Sequence, residues 1–143
     1  MAEVILKDAL AEMARQLPGV WMVIVADSDG LLLGSWVSPD NKLPPESRGS
    51  FVNLLKNTIV AFQQSAVGLS RLEDMIVITA FSYLLIKQIC DGACFLVVDS
   101  PRTVPLGMIL MASHNYAPKL EQGIPGHELF SRRYGGTGGT ILP

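Results

Sequence analysis

The sequence is poor in the residues that do covalent or metal chemistry. Its 143 residues include two histidines and two cysteines. Two cysteines are too few for a disulfide scaffold, and no Cys/His spacing matches a zinc site. No G-x-x-x-x-G-K-[ST] or strand-following G-x-G-x-x-G is present, so there is no nucleotide cradle. The G-x-S-x-G nucleophile elbow is absent as well. Charge is scarce too, at 17% of residues with a net of −2, so nothing favours nucleic acid, which needs a clustered basic face. No apolar run approaches the roughly 20 residues that span a bilayer. The charged start "MAEVILKDALAEMARQ" is unlike a secretory signal, and a cytoplasmic location is expected.

What the chain does have is apolar substance. Hydrophobic residues make up 49%, enough for one well-filled domain. Val4, Leu6, Ala9, Leu10, Met13 and Leu17 recur near helical spacing, which predicts a helix over 3–16 stopped by "LPG". "VWMVIVA" (20–26) suits a strand buried on both faces, and "LLLGSWV" (31–37) a second strand after the turn "DSDG". A calcium loop is excluded there. With Gly30 as its sixth position, the first and twelfth would be Val25 and Trp36, which offer no side-chain oxygen. Asp27 and Asp29 are instead expected to form the turn.

A proline-rich loop, "SPDNKLPPES", precedes a second helical pattern over 47–67. Phe51, Leu54, Leu55, Thr58, Phe62 and Ala66 share one face, while Val52, Ile59, Val60 and Val67 form an apolar flank beyond what one contact face needs. Three strand candidates follow: 74–81, 83–90 and 93–100. Short connections make neighbours antiparallel. Cys90 and Cys94 flank "DGA". A two-residue turn would send the thiols to opposite faces, whereas a three-residue turn would pair them; buried, reduced thiols are expected. The last helix is predicted within 101–124, with Thr103 as N-cap and Pro118 kinking or ending it. Residues 1–124 are expected to form the domain, and 125–143, with "GGTGG", a flexible tail.

Single polar residues offer little chemistry. His114, among apolar neighbours on the last helix, reads as structural or surface-exposed. Glu73 and Asp74 are adjacent in a strand entrance and point to opposite faces, so they do not converge as an acid/base pair. Lys87 reads as an outward charge or an edge guard. A binding module is favoured over an enzyme, and no metal or cofactor is expected. A small-molecule sensor would need a roomy polar pocket, and this core is rich in Leu, Ile, Val and Met.

In this order the elements resemble the roadblock family of dynein light chains and their bacterial and archaeal relatives. The resemblance is carried by "LPGVWMVIVADSDGLLLGSW" (17–36), the long helical segment ending in "VGL" (67–69), "DMIVITAFSYLLIKQICDGACFLVVD" (74–99) and "PLGMILMASHNYAPKLEQ" (105–122). It covers roughly 3–122. It implies an α+β fold, αββαβββα, with a five-stranded antiparallel sheet in the order 2-1-5-4-3. The middle helix would cover one face, and the first and last helices the other.

The resemblance further implies a homodimer formed through the middle helix and the third strand. Val52, Ile59, Val60, Met75, Val77 and Thr79 are its expected contacts. Roadblock proteins are non-enzymatic platforms, many working with Ras-like small GTPases, and the gliding-motility member is a GTPase-activating protein. A Ras-like GTPase is therefore the implied partner, met by Asn53, Lys56, Asn57 and Gln64 on the outer helix face. Arg48 and Arg71 bracket that helix without a recognisable arginine-finger motif, so any effect on hydrolysis would be indirect. An adaptor dimer that leaves GTP turnover untouched is the alternative.

Overall fold

The structure is a computed structural model describing residues 2–41, residues 73–126 and, between them, residues 53, 57, 58, 60 and 61. Helix α1 spans Ala2–Arg15 and is followed by β1 (Met22–Asp27) and β2 (Leu32–Val37). After the middle segment come β3 (Asp74–Ile78), β4 (Ser82–Ile89), β5 (Cys94–Pro101) and a closing helix α2, Leu106–Gln122. Asn53, Asn57, Thr58, Val60 and Ala61 are helical, as the 47–67 pattern predicts. The remainder of that pattern, and the face its helix covers, lie outside the described residues, as does the tail from 127.

The five strands form one sheet in the order β2-β1-β5-β4-β3, the order the resemblance implies, and every pairing is antiparallel. The central strands carry the apolar weight. All residues of β1 from Met22 to Ala26 are buried, as are Cys94 to Ser100 of β5. Alternation along each strand divides them between two cores. Val23, Val25, Leu85, Ile89, Leu96 and Val98 pack under Leu6, Leu10 and Met13 of α1 and Ile109 and Leu120 of α2. Met22, Ile24, Ala26, Leu84, Ile86, Phe95 and Val97 form a second cluster on the opposite face.

Close backbone approaches hold α1 in place. A Cβ on Gly34 would come within 2.8 Å of Leu6 Cδ2, and one on Gly123 within 2.6 Å of the Leu6 backbone nitrogen. Only glycine lets β2 and the end of α2 sit this near the helix.

The turn at 27–31 is built as its residues predict. Asp27 Oδ1 accepts hydrogen bonds from the Asp29 and Leu31 amides, each at 2.9 Å. The Asp27 amide donates to the Leu31 carbonyl, and Gly30 takes φ 86°.

Two local expectations are corrected, and one left open is resolved. Thr103 does not cap α2: Pro105 is the N-cap, with its carbonyl accepting from Met108 and Ile109. Proline is tolerated at this end of a helix, where its missing N–H has no partner to lose. Pro118 does not end the helix, which continues to Gln122. Its cost is one missing donor on an exposed face. Between the two readings of the β4–β5 connection, the register is that of the two-residue turn: Ile89 pairs with Cys94, the Ala93 amide donates to the Cys90 carbonyl, and Asp91 and Gly92 take φ values of 56° and 91°. The thiols nonetheless do not part to opposite faces, because Cys90 itself adopts a left-handed φ of 51°. Both thiols are free and buried in the same cluster, hydrogen-bonded to each other.

Candidate functional site

Among the described residues, β3 is the last strand of the sheet and pairs with β4 alone. Its sequence, DMIVI, is apolar after the first residue, yet four of its five residues are exposed. Ile76, Val77 and Ile78 are 37%, 39% and 59% exposed, and Phe81 in the following turn is 81% exposed. A strand on a sheet margin with open main-chain groups and greasy side chains is a template for another strand.

The direction of the main-chain groups follows from the ladder. The Gln88 amide donates to the Glu73 carbonyl, and the Thr79 amide to the Ser82 carbonyl. Hydrogen-bonded pairs alternate along an antiparallel ladder, so Met75 and Val77 also spend their main-chain groups on β4. Those of Asp74, Ile76 and Ile78 point away from the sheet.

The side chains divide the other way. Met75 and Val77 stand opposite Ile86 and Leu84, on the face of the second cluster. Ile76, Ile78 and Asp74 stand opposite Leu85, Tyr83 and Lys87, on the face of α1 and α2. Lys87 bonds Asp74 Oδ1 at 3.1 Å, which explains the single cation in an apolar strand.

The residues expected in a dimer contact are placed as follows. Met75 is half-buried against the second cluster, and Val77 is exposed beside it. Thr79 is exposed but already employed: its hydroxyl accepts from the Ser82 amide at 2.9 Å and lies 2.7 Å from Ser82 Oγ, closing the β3–β4 turn. Val60 is helical and 40% exposed; Val52 and Ile59 lie outside the described residues. Among the expected partner contacts, Asn53 and Asn57 are helical and exposed, while Lys56 and Gln64 lie outside the described residues.

Sequence reasoning missed Ile76, Ile78 and Phe81. Phe81 is expected at the end of a strand over 74–81; β3 instead ends at Ile78, which leaves Phe81 in the turn, exposed.

At the end of β5, Arg102 is held in front of this edge. Its guanidinium lies 5.5 Å from the Tyr83 ring centroid, and Nη1 donates to the Thr79 carbonyl at 3.3 Å. The Arg102 amide also bonds the Phe81 carbonyl.

Elsewhere, open clefts lie among the described residues. One of about 390 Å³ lies between the β4–β5 turn and α2, with His114 and Glu121 in its wall; Glu121 accepts from the Cys90 amide at 3.0 Å. Another of about 540 Å³ runs between α1 and α2 beside the Glu12–Lys119 ion pair. That pairing lowers the Glu12 pKa and raises that of Lys119. Among the described residues no His, Cys, Asp or Glu cluster suits a metal ion, and no helix is long and apolar enough to cross a membrane.

No family model and no curated protein matches the chain. Solved structures do match it. The gliding protein MglB from Thermus thermophilus superposes with a TM-score of 0.74 at 19% identity, over 84% of this chain and 88% of that one. An MglB with tetrameric arrangement gives 0.73 at 20%, over 84% and 88%. The Roadblock/LC7 domain from Streptomyces avermitilis gives 0.61 at 13%, over 80% and 96%.

Proposed function

We propose that this chain, which carries the roadblock fold, is a homodimeric, non-enzymatic regulator or scaffold that binds a Ras-like small GTPase and modulates its nucleotide cycle. The observation that carries the proposal is the bare apolar edge of β3. Paired with a second copy, that margin would turn two five-stranded sheets into one continuous sheet.

Area brings in the middle helix. A five-residue strand is about 17 Å long, too short to bury by itself the roughly 1,200–2,000 Å² of a stable interface. Val60, exposed on the middle helix, supplies apolar surface outside the sheet, with Val52 and Ile59 expected beside it. The tetrameric arrangement recorded for an MglB supports self-association in proteins of this fold.

The choice of a GTPase partner rests on the sequence resemblance, together with the structural likeness to MglB. Asn53 and Asn57 present a polar, exposed helix face suited to a protein partner. Positioning of GTPase switch loops by such a surface needs no arginine inserted into the nucleotide site.

The test is GTP hydrolysis by a Ras-like GTPase from the same organism, with and without the purified protein, alongside a co-sedimentation assay. A complex and a changed rate support regulation. A complex with an unchanged rate leaves the adaptor reading. No complex overturns the proposed partner.

A further inference from the structure

Resting on the dimer reading above, we infer that the second copy pairs with β3 in one register, centred on Ile76, and that Arg102 of each protomer clamps the partner's Asp74 across the seam.

The register follows from the three main-chain positions facing outward. A two-fold antiparallel pair must match outward-facing residues with outward-facing residues. Centring on Met75 sets Ile78 against position 72, before β3 begins at Asp74, and centring on Val77 sets Asp74 against Ala80, past the strand's end at Ile78. Only the Ile76 centre uses Asp74, Ile76 and Ile78 of both strands, at two hydrogen bonds per pair and about six in all.

That register fixes which side chains meet. Ile76 faces its own copy, Met75 faces Val77, and Ile78 faces Asp74. Asp74 and Ile78 both lie on the α1/α2 face of the sheet. Arg102 is on the same face, over the ring of Tyr83, which stands opposite Ile78. Each Asp74 is thereby delivered beside the Arg102 of the other copy, at both ends of the seam.

Charge favours the match. Arg102 is exposed, and its guanidinium has a ring and a carbonyl for company but no carboxylate among the described residues. Asp74 has one oxygen on Lys87 and 35% of its side chain exposed, so it can accept a second cation. A slipped register would separate the opposite charges and leave Ile78 beside water. The clamp therefore gives a strand with apolar residues on both faces the specificity its side-chain pattern lacks.

Two measurements test this. An Ile76→Cys variant should be cross-linked into dimers by a short bis-maleimide, since facing residues in such a pair are about 5.5 Å apart. The buried Cys90 and Cys94 of the parent chain should give no such product. By sedimentation, Arg102→Glu should weaken the dimer by roughly tenfold or more. Adding Asp74→Arg should recover most of that loss relative to either single variant; Lys87 repels the new arginine equally in the single and the double, so the comparison isolates the cross-seam pair. A dimer that neither cross-links at Ile76 nor responds to the charge reversals overturns the register and leaves the dimer reading intact. A parent chain that stays monomeric overturns both.

Discussion

Asp99 lies directly opposite Leu84 in the β4–β5 ladder and is only 6% exposed. Two residues beyond Val97, it falls on the face of the second apolar cluster, with Met22 opposite it on β1. Burial pushes its carboxyl up to about 6, only partly offset by a hydrogen bond from the Ser100 backbone.

The sign of the resulting pH dependence is fixed. An unfolded aspartate titrates near 3.8 and the folded one near 6, so the folded state holds the proton more tightly. Stability is greatest below the lower value and falls as pH rises through that window, by up to about 3 kcal/mol at neutral pH. Asp99→Asn should raise the thermal midpoint at pH 7 by several degrees and flatten the profile between about pH 4 and 6. Calorimetry across that range checks both.

Gly123 is tested by adding one methyl group. The Cβ of Gly123→Ala would stand 2.6 Å from the Leu6 backbone nitrogen, which cannot swing aside as a side chain could. A loss of about 1–3 kcal/mol in urea unfolding is expected. Gly107, with open space around its Cβ position, is the control: Gly107→Ala in α2 should be neutral or stabilising.

Proline separates the two sides of β3. Ile76→Pro removes an N–H that β4 does not use, so the fold should survive while self-association is lost. Val77→Pro removes a donor to Leu84 and should destabilise the sheet itself. Circular dichroism melts read the fold, and light scattering reads the mass.

Asp27 holds the first hairpin turn. Asp27→Ala removes an acceptor serving two amides and should cost about 1–2 kcal/mol of stability. Binding to a partner should be unchanged, which a titration of the folded variant would show.

The elements legible in the sequence are those with one dominant force. The buried run at Met22–Ala26 and the alternating face of α1 declare themselves through burial, and the turn at Asp27–Gly30 through backbone chemistry. The strand order came from the family resemblance, because single-chain patterning does not say which strands become neighbours. Boundaries moved where a local rule met a longer-range one. Thr103 was a good capping residue, but Pro105 stood nearer the first turn; Pro118 was a helix breaker, but Leu120 had a core to reach. The candidate site was half legible. Met75 and Val77 were visible as apolar strand residues, whereas the outward aim of the Ile76 and Ile78 backbones depends on a ladder register. The position of Arg102 before Tyr83 depends on the turn that brings β5 past Phe81.

The most direct measurement is the mass of the purified chain in solution by sedimentation equilibrium at micromolar concentration. The account predicts twice the 15.5 kDa of a single chain, with the amides of Ile76 and Ile78 slow to exchange. A stable species of one chain's mass, with those amides exchanging freely, would contradict it.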